Sequence, residues 1–138
     1  MGRRRKAREV ALQLLYQLDL RDEAQPAAYE TEFWAHHPAD GDTQRFASTL
    51  VRGAKDHQGE VDRLITRYTE HWDLERMAAV DRNILRLAVY ELLWHPEVPA
   101  KVAINEAIEI AKKFGTQESG RFINGILDRI FKELRPAS

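Results

Sequence analysis

No cysteine occurs among the 138 residues. That excludes thiolate catalysis, cysteine-bound zinc and a disulfide framework, and it suits a reducing compartment. No apolar run approaches the ~18 residues that a membrane-spanning helix requires. The basic start Met1-Gly2-Arg3-Arg4-Arg5-Lys6 is followed by no secretory hydrophobic segment. The expectation is a soluble cytoplasmic protein with no membrane contact. Strict apolar/polar alternation, the mark of a half-buried strand, is missing as well.

Catalytic patterns are equally scarce. The five histidines, His36, His37, His57, His71 and His95, show neither His-x-x-x-His nor His-Glu-x-x-His spacing, so no zinc-binding helix is expected. Gly115-Thr-Gln-Glu-Ser-Gly120-Arg121-Phe122 has the glycine spacing of a Walker loop. Arg and Phe, however, stand where Lys and Ser/Thr must hold phosphate and magnesium, and the segment follows a helical pattern rather than a strand. No serine lies in a Gly-x-Ser-x-Gly context. Carboxylates are plentiful, but a catalytic pair needs a pocket that drives two pKa values apart, and solvated helix faces account for them more simply. No enzyme activity, cofactor or metal is expected.

What is present is helical spacing. A chain of this length buries roughly two thirds of its unfolded surface and needs no metal or disulfide to fold. Ala7, Val10, Ala11, Leu14, Leu15 and Leu18 make one stripe on a first helix. A short helix carries Tyr29, Phe33 and Trp34 and ends near His37-Pro38. Asp42 or Thr43 caps a long helix from Phe46 to Tyr68, with a kink or close contact at Gly53 and Gly59. Asp73 caps the next, about Leu74 to Trp94, whose apolar residues nearly encircle it, so it is central. After His95-Pro96-Glu97-Val98-Pro99 comes a helix carrying Val102, Ala103, Ala107, Ile110, Ala111 and Phe114, with Gly115 at its C′ position. The last helix shows Ile123, Ile126, Leu127, Ile130, Phe131 and Leu134 and is closed by Pro136. The fold class is all-α, with six or seven helices.

Four features exceed a plain bundle. The chain has 21 Lys and Arg against 22 Asp and Glu, yet residues 1–8 hold five cations and no acid, which leaves 16 cations against 22 acids for the remainder. Arg4, Arg5, Lys6 and Arg8 sit at a helix start, where the macrodipole favours acids by about 0.3–1 kcal/mol each. Such a start is a phosphate site, or else a disordered solubilising tip. Phe122 lies about 110° from the centre of the last helix's core stripe. Its ring either stacks an unpaired base or packs on a neighbouring helix. Leu12, Tyr16 and Leu20 form a second stripe on the first helix. Asp81 and Glu91 fall within the apolar arc of the central helix, where an unpaired carboxylate is costly, so one or both should have a cationic partner, inside the protein or across an interface. An internal salt bridge is the simpler account for Glu91.

Several stretches carry a family resemblance. Arg3 to Glu9 leading into Ala11–Tyr16, Val80-Asp-Arg-Asn-Ile-Leu-Arg-Leu-Ala-Val-Tyr-Glu-Leu92, Val98 to Gly115, and Arg121-Phe-Ile-Asn-Gly-Ile-Leu-Asp128 together resemble the NusB family of transcription antitermination factors. The likeness is near continuous over the C-terminal half and loose over residues 21–60. It implies two small helical bundles, about 1–72 and 73–138. It implies binding to single-stranded boxA of nascent ribosomal RNA, together with the ribosomal protein NusE. It further implies action in an RNA polymerase antitermination complex with other Nus factors. By matching position, Arg4, Arg5, Lys6, Arg8, Glu118, Ser119, Arg121 and Phe122 would touch RNA, while Tyr16 and Asp81 would face NusE. Leu12 joins the partner stripe through its helical spacing, and Lys112 and Lys113 join the RNA set through proximity. Gly120 departs from the polar or basic residue expected there, which implies fewer or rearranged RNA contacts.

Two other readings stand beside this one. A NusB-like module also begins ribosomal RNA cytosine methyltransferases, a reading that a length of 138 residues makes the less expected one and that the full open reading frame decides. A pure protein-interaction bundle, including a homodimer, is the third.

Overall fold

The computed structural model describes residues 3–21, 26–70 and 73–135. Among them are seven α-helices: α1 (Arg3–Arg21), α2 (Pro26–His36), α3 (Gly41–Asp56), α4 (Gln58–Tyr68), α5 (Ala79–Trp94), α6 (Ala100–Phe114) and α7 (Gln117–Leu134). A 3-10 turn at Leu74–Arg76 precedes α5, and the described residues contain no strand. The expected all-α class holds. The chain forms two compact units, Met1–Arg52 and Gly53–Ser138, divided inside α3. α4 packs on α5 and α7 within the second unit. The stop assigned to Pro136 lies outside the described residues.

In the first unit, every member of the α1 stripe (Ala7, Val10, Ala11, Leu14, Leu15, Leu18) is buried, with Phe33 of α2 and Ala47, Leu50 and Val51 of α3. α3 begins earlier than Asp42 or Thr43. Asp40 is the cap: its carboxylate accepts the Thr43 backbone N–H at 2.8 Å and the Thr43 hydroxyl at 3.2 Å. The short acceptor therefore satisfies a free donor three residues ahead, as N-cap geometry requires.

The second unit explains two breaks in helices that the pattern draws as continuous. The run from Gly41 to Tyr68 is interrupted at His57, although His57 N–H still donates to the Gly53 carbonyl at 3.0 Å and Val61 N–H to His57 at 2.9 Å. Gly53 is the point of close approach, since a Cβ there would overlap the Tyr90 ring. At Gly59 a Cβ would meet only the end of Arg63. The His57 ring fills the bend, 4.5 Å from Trp94 and 5.6 Å from Tyr90. The second break follows Asp73, whose carboxylate caps only the 3-10 turn by accepting Glu75 N–H at 3.0 Å. Met77 and Ala78 are extended, and α5 starts anew. Arg82 spans the break, donating to the Leu74 and Met77 carbonyls at 3.1 Å each.

α5 is central, as its apolar arc implies, and it is buried continuously from Asn83 to Leu92. α4, α6 and α7 pack against it. Its buried Arg86 forks onto Asp62 of α4, with Nε at 2.8 Å and Nη2 at 3.0 Å from the two carboxylate oxygens. Asn83 Oδ1 accepts a third bond. The connector after α5 is tied down by Arg135, which donates to the carbonyls of Pro96 (2.7 Å) and Val98 (3.0 Å). Burial pushes the Tyr90 hydroxyl up, reinforced by Asp56 and Glu97. Glu97 is held below the usual carboxylate range, first by its own backbone N–H and then by His95.

Ala favours a helix over Gly by about 1 kcal/mol, whereas overfilling a packed site costs about 1–3 kcal/mol. Gly53→Ala therefore lowers the urea midpoint. In a Tyr90→Ala background, where the obstructing ring is gone, the same substitution raises it.

Candidate nucleic-acid and partner surfaces

α1 begins at Arg3 with no acid in its first turn. Arg4, Arg5 and Lys6 thus occupy the turn whose N–H groups have no helical acceptor, and they oppose the dipole. Arg4 and Lys6 are exposed, Arg5 is half-buried, and Arg8 is buried to 7% exposure. Arg5 and Arg8 have further interactions within the protein, so Arg8 is less a surface cation than the sequence implied. One turn apart on the same helix face, Arg4 and Arg8 reach over a single ring. The guanidinium carbon of Arg4 stands 4.0 Å, and that of Arg8 5.4 Å, from the centroid of Phe46 in α3.

The partner stripe of α1 is divided by its packing. Leu12 is buried, Tyr16 half-buried and Leu20 59% exposed. Leu12 is therefore core, and the accessible part of the stripe is Tyr16 and Leu20.

In the second unit, the turn between α6 and α7 brings most of its predicted residues to the surface. Lys112, Lys113, Glu118 and Arg121 are exposed, and Phe122 is half-buried, so its ring both packs and reaches solvent. Lys112 pairs with Glu109 at 3.3 Å, and the Lys113 ammonium lies 5.3 Å from the Phe114 centroid.

Ser119 is the exception. It is 2% exposed, and its hydroxyl accepts the Thr116 N–H at 3.0 Å while Thr116 Oγ1 accepts Glu118 N–H at 3.3 Å. This is a capping box, which engages the buried Ser119 hydroxyl within the turn. Gly115 is extended rather than left-handed at the C-cap of α6. Its missing side chain has a different cause: a Cβ would press on Ser119 and on the Ala111 carbonyl, so the capping box itself requires glycine there. Gly120 is buried, and a Cβ would meet Ile108 and Lys112 of α6 in ordinary contact. Position 120 thus faces α6.

Asp81 is half-buried in the first turn of α5 and has no ion pair among the described residues. The helix N-terminus stabilises an acid at that position by about 0.3–1 kcal/mol. Glu91 is buried and engaged.

Three features escaped the pattern. Arg86 lies in the same apolar arc as Asp81 and Glu91, so the reasoning that found those acids applies to it equally. Glu30 of α2 is buried, accepting Ser48 Oγ at 2.5 Å and Trp34 Nε1 and Arg52 Nη2 at 3.3 Å each, beside an open cleft of about 430 Å³. Phe46 reads as a core position until Arg4 and Arg8 are seen above it. Among the described residues no cluster of His, Asp or Glu could hold a metal, and no helix is long and apolar enough to cross a membrane.

Comparison with known proteins gives a consistent result. The NusB family model matches residues 5–132. A transcription antitermination protein NusB from Myxococcus xanthus is 46% identical over 133 residues, covering 94% of this chain and 95% of its own. The solved structure of T. maritima NusB is 42% identical with a TM-score of 0.86, covering 99% of this chain and 94% of that one. A crystal structure of antitermination factors NusB and NusE in complex with dsRNA includes a chain 31% identical to this one. It has a TM-score of 0.85 and covers 96% of this chain and 98% of that one.

Loss of a cap hydrogen bond costs about 0.5–2 kcal/mol. Ser119→Ala is accordingly expected to lower the urea midpoint while leaving the salt dependence of RNA binding unchanged.

Proposed function

The chain belongs to the NusB family, and from that premise we propose that it is a non-catalytic adaptor that binds boxA of nascent ribosomal RNA as a single strand, together with NusE. In this reading it acts in the cytoplasm, within an RNA polymerase antitermination complex that includes other Nus factors. The observation that carries the proposal is the first turn of α1. Arg4, Arg5 and Lys6 crowd a helix start that holds no acid, an arrangement that weakens the isolated helix and strengthens its attraction for phosphate. Phosphate neutralisation supplies affinity, and base preference comes from rings and polar edges such as Phe122 and Arg121. Lys112, Lys113 and Glu118 border that ring on the α6–α7 turn. The solved relative bound to NusE carries double-stranded RNA, so strand preference belongs in the test.

Each phosphate contact on a single strand contributes about −0.7 to the log–log salt slope. Changing Arg4, Arg5 and Lys6 together to Ala should make the slope for single-stranded boxA shallower by about 2, measured by filter binding. A duplex of the same sequence is expected to bind more weakly. An unchanged slope and affinity in the triple variant would remove the cluster from the mechanism.

NusE contacts are assigned to Tyr16 in the first unit and to Asp81 in the second. Tyr16 offers a half-buried ring beside exposed Leu20, and Asp81 offers a carboxylate with no ion pair among the described residues. Tyr16→Ala and Asp81→Asn should each weaken NusE binding by about 1–2 kcal/mol in calorimetry, the scale of a substantial interface residue. Binding of boxA to the adaptor alone should stay unchanged.

A further inference from the structure

We propose that Phe46 of α3 is a positioning residue for RNA binding, holding the Arg4 guanidinium where it meets a phosphate. The inference rests on the reading that the α1 cluster contacts RNA, and it adds a residue from a different helix to that site. Arg4 stands 4.0 Å above the Phe46 centroid and Arg8 5.4 Å from it, both inside the cation–π range. The Arg4 side chain has no hydrogen bond or ion pair with another described residue, so the ring is what locates it.

The need for a locator follows from charge. Arg4 shares a helix turn with Arg5 and Lys6 and a face with Arg8, and all of them sit at the positive end of the α1 dipole. Repulsion among these groups favours outward, disordered rotamers. A flexible arginine then loses its side-chain freedom when it binds. The negative face of an aromatic ring offsets the repulsion and fixes the plane of the guanidinium, leaving its N–H edge for phosphate oxygens. Phe46 is suited to this because it is half-buried on a helix anchored by buried Thr43, Ala47 and Leu50. The ring is held by packing below while its upper face meets the cation.

The test compares Phe46→Leu, which keeps apolar bulk but removes the ring, with Phe46→Trp, which keeps a ring face. For single-stranded boxA RNA, Phe46→Leu should weaken binding about two- to fivefold, the effect of an exposed cation–π contact. The log–log salt slope should not change, because no phosphate contact is deleted. Phe46→Trp should restore affinity, and Arg4→Ala should cost less in the Phe46→Leu background than in the native chain. In the free protein, the Arg4 δ protons should show an upfield ring-current shift that Phe46→Leu abolishes, a readout that needs no RNA. Random-coil Arg4 shifts, equal losses for Leu and Trp, or fully additive losses with Arg4→Ala would each overturn the inference. If Arg4→Ala leaves binding intact while the Arg4, Arg5 and Lys6 triple variant weakens it, the roles of Arg4 and Phe46 fall and the cluster reading stands; if the triple variant also leaves binding intact, the cluster reading falls with them. If Arg4→Ala weakens binding while Phe46→Leu does not, only the role of Phe46 falls.

Discussion

A helix covered on every side must find partners for each polar group it carries, and α5 is in that position. Its buried run includes Asn83, Arg86 and Glu91 as well as the leucines and valines that make it central. Arg86 is accommodated because Asp62 of α4 presents both carboxylate oxygens to its fork and Asn83 accepts a third bond. An ion pair taken out of water contributes little net stability compared with apolar packing, but losing one partner strands the other charge. The pair ties α4 to α5, and further along α5 the Tyr90 ring lies against Gly53 of α3 and beside His57 at the break.

The surfaces assigned to function follow the opposite rule. In the first turn of α1, cations accumulate where the helix dipole disfavours them, and stability is lower than it would be with acids at those positions. At the start of α7, Glu118 is placed as the dipole prefers and the capping box closes the turn. The first site is charged against its local preference, while the second is a well-formed helix start that displays Arg121 and a half-buried Phe122 on a rigid support. Rigid support is what a stacking ring requires, since a base gains most from a platform that need not be ordered on binding.

Helix membership, the α1 stripe, the centrality of α5 and the basic first turn were all legible in the chain, because period and charge are local properties. Residue roles were legible less evenly. Leu12 belongs to a stripe by spacing but is buried, and Ser119 matches an RNA-facing position but spends its hydroxyl on a cap. In both cases the pattern identifies the face of a helix, and the neighbouring elements decide whether that face is open. Phe46 shows the converse: its ring has no distinguishing context until two arginines more than 35 positions earlier are brought over it.

Sequence by itself determined the helical class, the absence of thiol chemistry and the asymmetry between a basic tip and an acidic remainder, since composition and periodicity suffice for these. It also determined where acids and cations fall relative to helix ends. Tertiary structure alone decided that α3 and α4 part at His57 and that Asp40 rather than Asp42 or Thr43 is the cap. It alone showed that Gly115 is glycine for want of space rather than for its backbone angle. Each of these depends on atoms supplied by another segment or on the position at which a helix starts, and neither is fixed by the spacing of residues along one helix.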